Sequence, residues 1–285
     1  MENDIETRIR NRFSEFSKGQ KKIASAILDN YDKAAYMTAV KLGELVEVSE
    51  STVVRFAVEL GYAGYPELQR AVQELVRAKL TSNQRIQISD IRYGDGDILD
   101  SVLSADIGKI KYTMENIDRP SFHAAVEAMA SAKRIFVIGA RSSASLASFF
   151  NFNLRMILDN VILVQPANRG EVFEQILDIG PGDVIFAMSF PRYSTNVINA
   201  VKYAHAQNAA VIALTDSMLS PIAKDAQHVL IAQSDMVSYV DSLVAPLSIL
   251  NAILVAITKT QKERVTARFD KLERIWDEYE VYAKR

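Results

Sequence analysis

From Lys133 onward, short apolar runs alternate with amphipathic helical stretches, and this alternation constrains the fold of the 285-residue chain more than any other feature. The runs are "RIFVIG", "VILVQ", "DVIFAMS", "AVIALT" and "HVLIA". Between them lie "SASLASFFNFNLRMILD", "GEVFEQILDI", "TNVINAVKYAHAQ" and "SPIAKDA", and long helical stretches follow the last. Each run is continuously apolar, as expected of a strand covered on both faces. Strands alternating with helices predict an α/β domain with a mainly parallel sheet flanked by helices. Such sheets bind ligands beyond the carboxyl ends of their strands. Two stretches occupy that position, "GARSSA" (139–144) and "MSFPRYSTN" (188–196), each polar and cationic and each opening a helix. Free N–H groups and the helix dipole favour an anion there.

The first eighty residues are written in a different period. Helical spacing runs through "IETRIRNRF", "GQKKIASAILDNY", "TAVKLGELVE", "ESTVVRFAVEL" and "PELQRAVQELVRAKL", with no convincing strand, which predicts an all-α N-terminal domain. "TSNQRIQISDIRYGDGD" (81–97) breaks the pattern with polar residues and two glycines and reads as a linker. A helix over "ILDSVLSADIGKIKYTMENI" and a short one around 121–131 then lead into the sheet. The expected division is 1–77, a connecting stretch over 78–119, and 120–285.

Within the first part, Thr38 and Ser49 stand where they can cap two successive short helices. On the first helix Val40, Leu42, Leu45 and Val46 are read as the buried stripe. On the second, Val53, Phe56, Ala57 and Leu60 fall inward, while Ser51, Thr52 and Arg55 face out. Gly61 ends that helix where a left-handed residue is favoured. This is the layout of a helix-turn-helix, whose second helix offers small polar and Arg side chains to base edges and phosphates. A plain helical hairpin fits the same spacing, and Glu44, Glu47, Glu50 and Glu59 count against a broadly cationic face. The net charge of −2 argues against coating nucleic acid, but sequence-specific reading needs only a local cationic face.

The chain has no cysteine, which excludes disulfides and thiolate metal sites and suits a cytoplasmic home. His123, His205 and His228 lack the spacing of a metal site, so no metal or cofactor is expected. The longest apolar stretch, "SLVAPLSILNAILVAITKT", contains Pro246, Ser248 and Asn251 and reads as a buried helix. "MENDIETRIRNRFSEF" is charged and helical, with no signal-peptide core. No membrane partner is expected.

"VSESTVVRFAVELGYAGYPELQRAV" resembles the N-terminal domain of the RpiR family of bacterial transcriptional regulators. Members carry S-x-x-T-V-x-R-F-x-x-x-L-G-(aromatic)-x-G-(aromatic)-x-E-L, and nearly every element stands here between Ser49 and Leu68. The resemblance implies binding of double-stranded operator DNA, with Ser49, Ser51, Thr52 and Arg55 as the candidate contacts. The second part resembles the SIS, or sugar isomerase, domain, the usual partner of that helix-turn-helix. "ALTDSMLSPIAKDAQHVL" is similar to its fourth strand, Ser-Pro helix start and fifth strand, with Ser220 read as an N-cap and Pro221 at the first helical position.

SIS domains hold a phosphosugar between two hydroxyl-rich loops. The resemblance places Ser142 and Ser143 on the first loop and Ser189, Ser194 and Thr195 on the second. Both loops depart from the family pattern. Arg141 and Arg192 replace glycines, and Pro191 replaces a serine. Arginine offers a planar fork for phosphate or carboxylate in place of the lost hydroxyl. Equally, the two arginines could shield a pocket or pair with carboxylates. The expected effector is an anionic sugar-type metabolite, a phosphosugar or a sugar acid, held by Arg141, Ser142, Ser143, Ser189, Arg192, Ser194 and Thr195. Two other functions stay open: a sugar-phosphate isomerase, for which Glu171 and Glu174 are the nearest bases, and a second domain used only for oligomerisation. Palindromic reading by helix-turn-helix proteins leads to an expected homodimer or homotetramer.

Overall fold

The computed structural model describes residues 5–93, 97–165 and 168–283. The chain divides into two compact units, Met1–Gln84 and Arg85–Arg285.

The first unit is all-helical: α1 (Ile5–Arg12), α2 (Lys18–Asp29), α3 (Tyr31–Ala34), α4 (Ala39–Val46), α5 (Glu50–Glu59) and α6 (Tyr65–Lys79). Their starts are set by short polar side chains. Ser17 closes a reciprocal box with Gln20 on α2, and Thr38 and Ser49 accept the backbone N–H groups of Lys41 and Thr52. Ile9, Ile23, Leu42, Val53, Phe56 and Leu68 are fully buried and form the shared core. The stripe expected on α4 is only partly right. Ala39, Leu42 and Gly43 are buried, whereas Val40 and Leu45 are exposed. The turn that follows accounts for this. A Cβ on Gly43 would lie 2.8 Å from the Val48 carbonyl oxygen, so the small-residue face of α4 packs against the turn and the bulkier face points away.

The reading of 81–97 as an irregular linker is also corrected. Residues Ser82–Tyr93 form helix α7. Thr81 and Gln84 close a capping box, with the Thr81 N–H donating to Gln84 Oε1 at 2.9 Å and the Gln84 N–H donating to Thr81 Oγ1 at 3.3 Å. The two glycines of the expected linker, Gly94 and Gly96, lie outside the described residues.

The second unit takes in α7 from Arg85 onward and continues with α8 (Ile98–Asn116) and α9 (Arg119–Ser131). There follow β1 (Ile135–Gly139), α10 (Ser143–Ile157), β2 (Val161–Val164), α11 (Arg169–Gln175), β3 (Val184–Met188), α12 (Thr195–Ala206), β4 (Ala210–Thr215), β5 (His228–Ile231), α13 (Val244–Thr260) and α14 (Lys262–Glu278). The five strands are all parallel, in the order β2-β1-β3-β4-β5. Side chains alternate across the sheet. Val137, Phe186, Ile212 and Leu230 meet α9, α10 and α13 on one face, while Ile138, Ile185, Val211 and Ala213 meet α11 and α12 on the other. This gives three layers with a core on each side of the sheet. At the amino ends of β1 and β3, Arg134 grips Asp183 with two nitrogens at 3.1 and 2.6 Å. The apolar C-terminal stretch is helix α13, bedded on the core through Ile249, Leu250, Ile253 and Ile257. Among the described residues, no single helix is long and apolar enough to cross a membrane.

"SPIAKDA" forms turns rather than the expected helix, joined by 3.0 and 3.3 Å bonds from Ala223 N–H to Ser220 O and from Ala226 N–H to Ala223 O. Ser220 is therefore not a helix cap. It is buried, and its hydroxyl has no hydrogen-bond partner in the structure.

Candidate functional site

In the first unit the candidate residues share one surface. Glu47, at φ 57°, turns the chain sharply after α4 and aims the start of α5 outward. The Ser49 hydroxyl accepts the Thr52 N–H at 3.3 Å and lies 2.9 Å from both Ser51 Oγ and Thr52 Oγ1. Arg55 donates from Nε to the Ser51 carbonyl at 3.3 Å and stays exposed. Three hydroxyls and one guanidinium thus occupy the first two turns of α5, the part of a recognition helix that meets base edges. This face borders an open cavity of about 630 Å³, walled on its other side by Ser17, Gly19 and Gln20 at the start of α2. The side chains of Gln20 and Glu59 are hydrogen-bonded to each other, which ties the start of α2 to the end of α5. That cross-tie had no signature in the sequence, because its two residues are 39 positions apart.

In the second unit, both expected loops lie at the carboxyl ends of adjacent strands. Gly139 at the end of β1 pairs in register with Met188 at the end of β3. The chain leaves β1 toward β2 on one side and β3 toward β4 on the other, so the two loops flank the topological switch point, where doubly wound sheets form their ligand crevice. Gly139 is required for this layout. A Cβ there would sit 2.4 Å from the Ser143 carbonyl oxygen, so only glycine lets α10 begin this close to the sheet.

The two loop arginines share a backbone conformation. Arg141 has φ 56° and Arg192 φ 68°, both left-handed, the region that glycine enters freely. The loops therefore keep the glycine-type turn although a long cationic side chain stands at each position. Such a conformation costs a non-glycine residue about 1 kcal/mol. Both side chains are exposed, whereas Ser143 and Ser189 are buried beside them.

The helix starts at these loops carry no side-chain cap, like those of α3, α6, α9, α13 and α14 and unlike those of α2, α4, α5, α8 and α11. Ser17, Thr38, Ser49, Asp97 and Asn168 each accept a backbone N–H of the helix they precede. Ser142 and Ser194, at the starts of α10 and α12, do not. The first-turn N–H groups of both helices are therefore left without a side-chain cap. Thr195 is exposed on the first turn of α12. Beneath the second loop, Thr215 donates from Oγ1 to the Ser189 carbonyl at 2.7 Å, and the Tyr193 hydroxyl donates to Asp216 Oδ1 at 2.9 Å. Thr215 and Asp216 end β4 and fix the loop's position. Their part in the site was not read from the sequence, because a Thr-Asp pair after a strand carries no signal of its own.

Glu171 and Glu174, the bases weighed for an isomerase, are exposed on α11, the helix that follows β2 and packs with α12 on one face of the sheet. Glu171 is bound to the N-cap of α11, accepting from Asn168 Nδ2 at 2.5 Å while its N–H donates to Asn168 Oδ1 at 3.0 Å.

Comparison with known proteins follows the same division. Residues 3–79 match the model of the helix-turn-helix domain of the rpiR family, and residues 128–256 match the SIS domain. The HTH-type transcriptional regulator HexR of Escherichia coli (strain K12) is 26% identical over 226 residues, covering 77% of this chain and 74% of that protein. HexR of Pseudomonas aeruginosa is 27% identical over 231 residues, covering 79% and 76%. Among solved structures, the sugar isomerase domain of an RpiR transcription factor from Sphaerobacter thermophilus superposes with a TM-score of 0.58 at 27% identity, covering 61% of this chain and 96% of that one. The Vibrio vulnificus NanR protein complexed with ManNAc-6P shares the fold with a TM-score of 0.63 at 21% identity, covering 99% and 100%. With one family model over the helical unit, another over the sheet, and named regulators aligned along more than three quarters of its length, the chain belongs to the RpiR family, as a helix-turn-helix transcriptional regulator with a SIS domain.

Proposed function

We propose that the protein binds operator DNA through the exposed start of α5 and changes that binding when an anionic sugar-type metabolite, a phosphosugar or a sugar acid, occupies the loops at the switch point. One observation carries the effector half of this reading. The two loops retain left-handed turns and uncapped helix starts on either side of the crevice while each adds a guanidinium. Two helix N-termini and two arginines make a positive pocket that is relieved when an anion enters. Arg141, Ser142 and Ser143 on one side, and Ser189, Arg192, Ser194 and Thr195 on the other, are the proposed contacts. The fold itself can seat such a ligand, since NanR is complexed with a sugar phosphate.

On the DNA side, Ser49, Ser51, Thr52 and Arg55 are the proposed contacts. Turnover is not part of the proposal. The relatives are named regulators, and the Glu171 carboxylate is hydrogen-bonded to Asn168, the N-cap of α11. Two copies of the reader acting on a palindrome, in the cytoplasm, complete the reading. A thermal-shift screen of phosphosugars and sugar acids tests it. A ligand bound only by the folded state stabilises it by RT ln(1 + [L]/Kd), about 2.7 kcal/mol at one hundred times Kd. The hit should lose its effect in Ser143→Ala and Arg192→Ala. A hit that stabilises both variants as it does the wild type would move the site elsewhere.

A further inference from the structure

Helix α2 carries its charges the wrong way round. Lys18, Lys21 and Lys22 stand within its first five residues, and its one acid, Asp29, is its last. A helix dipole favours acids at the start and cations at the end, so it opposes Lys18 and Lys21 as well as Asp29. Lys18 and Lys22 also lie four residues apart on one face, where like charges repel. Helix α1 in the same unit follows the dipole, with Glu6 in its first turn and Arg10 and Arg12 in its last. The stability of α2 gives no reason for these lysines.

Their position gives one. A Cβ on Gly19 would lie 3.3 Å from Val48 Cγ1 and 3.7 Å from Thr52 Cγ2, so α2 begins against the turn that leads into α5. Three residues on, Lys22 Nζ reaches the Glu47 carboxylate of that turn at 2.9 Å. Lys18 lies one helical turn before Lys22 on the same face and is exposed. Ser17 and Gly19, its two neighbours in the chain, line the open cavity whose other wall is Ser49, Thr52 and Arg55. The cationic end of α2 therefore runs beside the residues proposed to read DNA.

Two of the four glutamates that count against a cationic face are engaged from the same side. Glu47 is held by Lys22, and Glu59 by the Gln20 side chain and by Arg12 at 4.0 Å. The Lys22–Glu47 pair is 43% and 84% exposed, a weak surface contact that a phosphate can replace.

Base edges are read by the second helix of a helix-turn-helix, while contacts to phosphates fix its register on the duplex. We propose that the start of α2 supplies such contacts, with Lys18 and Lys22 bound to phosphates of the DNA backbone beside the bases that α5 meets. The proposal rests on the reading that α5 faces operator DNA. A phosphate between the two lysines offsets their repulsion and stands in for the acid that the helix start lacks. The cavity is open along the α5 face rather than closed around a small anion, which suits a backbone passing through it.

Fluorescence anisotropy of the full-length protein across a salt series tests this, on an operator fragment obtained by in vitro selection and on a random-sequence duplex of equal length. Lys18→Gln combined with Lys22→Gln should weaken binding to both duplexes by the same factor. Each phosphate contact contributes about 0.9 to the slope of log affinity against log salt concentration, so the slope should flatten by about 0.9 to 1.8. Lys18→Glu should raise the melting temperature, since an acid there suits the dipole and pairs with Lys22, and yet weaken binding to both duplexes. Lys22→Gln in a Glu47→Gln background separates contact from masking. A lysine that touches phosphate still loses affinity there, whereas one that only neutralises Glu47 loses none. The proposal is overturned if the double glutamine variant keeps the wild-type salt slope, if its loss is confined to the selected operator, if Lys22→Gln has no effect in the Glu47→Gln background, or if Lys18→Glu lowers the melting temperature. Failure of the α5 reading looks different. Arg55→Ala would then bind the selected operator as the wild type does, while the lysine variants still weaken binding to both duplexes.

Discussion

At the scale of single residues, Arg141 and Arg192 combine two properties that are seldom found together, a glycine-type backbone and a long cationic side chain. If the side chain is retained for its charge, glycine should be structurally harmless there. Arg141→Gly and Arg192→Gly should each change stability by less than about 1 kcal/mol, the relief of left-handed strain offsetting glycine's greater chain entropy. The same variants should lose stabilisation by an anionic sugar, which calorimetric melting with and without the hit from the screen would measure. On α5, Arg55 is held over the hydroxyl cluster by its bond to the Ser51 carbonyl. Arg55→Ala should weaken operator binding by about 1–3 kcal/mol if the arginine reads a guanine. Fluorescence anisotropy with an unchanged melting curve would establish this, and unaltered affinity would remove Arg55 from the interface.

At the scale of elements, the close start of α10 on β1 depends on one atom that is not there. Gly139→Ala would place a Cβ 2.4 Å from the Ser143 carbonyl oxygen, which is backbone and cannot swing aside. A loss of at least about 1–3 kcal/mol is expected, read from a denaturant midpoint. The strands, α10 to α13 and the inward face of α5 were legible in the sequence because each is a regular period repeated along the chain. Val53, Phe56 and Ala57 are buried as their spacing predicts. What escaped is what periodicity does not encode. The polar run after Thr81 hid a Thr-x-x-Gln capping box, so α7 was read as a linker. Val40 and Leu45 fit an apolar stripe, but the tight turn selected the Gly43 side of α4 for burial. "SPIAKDA" has the residues of a helix start and too little length before β5 to continue one. In the loops, the hydroxyls and arginines could be listed from the sequence, but their left-handed backbone depends on residues far apart in the chain.

At the scale of the whole molecule, α8 presents an inverted pattern. It buries Lys109 and Thr113, while Leu99, Leu103, Ile107 and Met114 are 66%, 52%, 67% and 58% exposed at helical spacing. An apolar face with a buried lysine opposite fits a helix that meets a second copy of the chain, and palindromic reading requires such a copy. Sedimentation equilibrium at micromolar concentration should give a dimer or a dimer of dimers. The paired change Leu103→Glu and Ile107→Glu should give a folded monomer. A monodisperse wild-type monomer would contradict the proposed assembly. If anion binding at the switch point is linked to operator binding, the two affinities must change reciprocally. The direct measurement is operator affinity with and without the stabilising sugar, using a fragment obtained by in vitro selection, for the wild type, Ser143→Ala and Arg192→Ala. A shift of about 5- to 150-fold in the wild type, absent from both variants, with the ligand-free affinity of Ser143→Ala unchanged, is the predicted result. Equal operator affinity with and without saturating ligand in the wild type would contradict it.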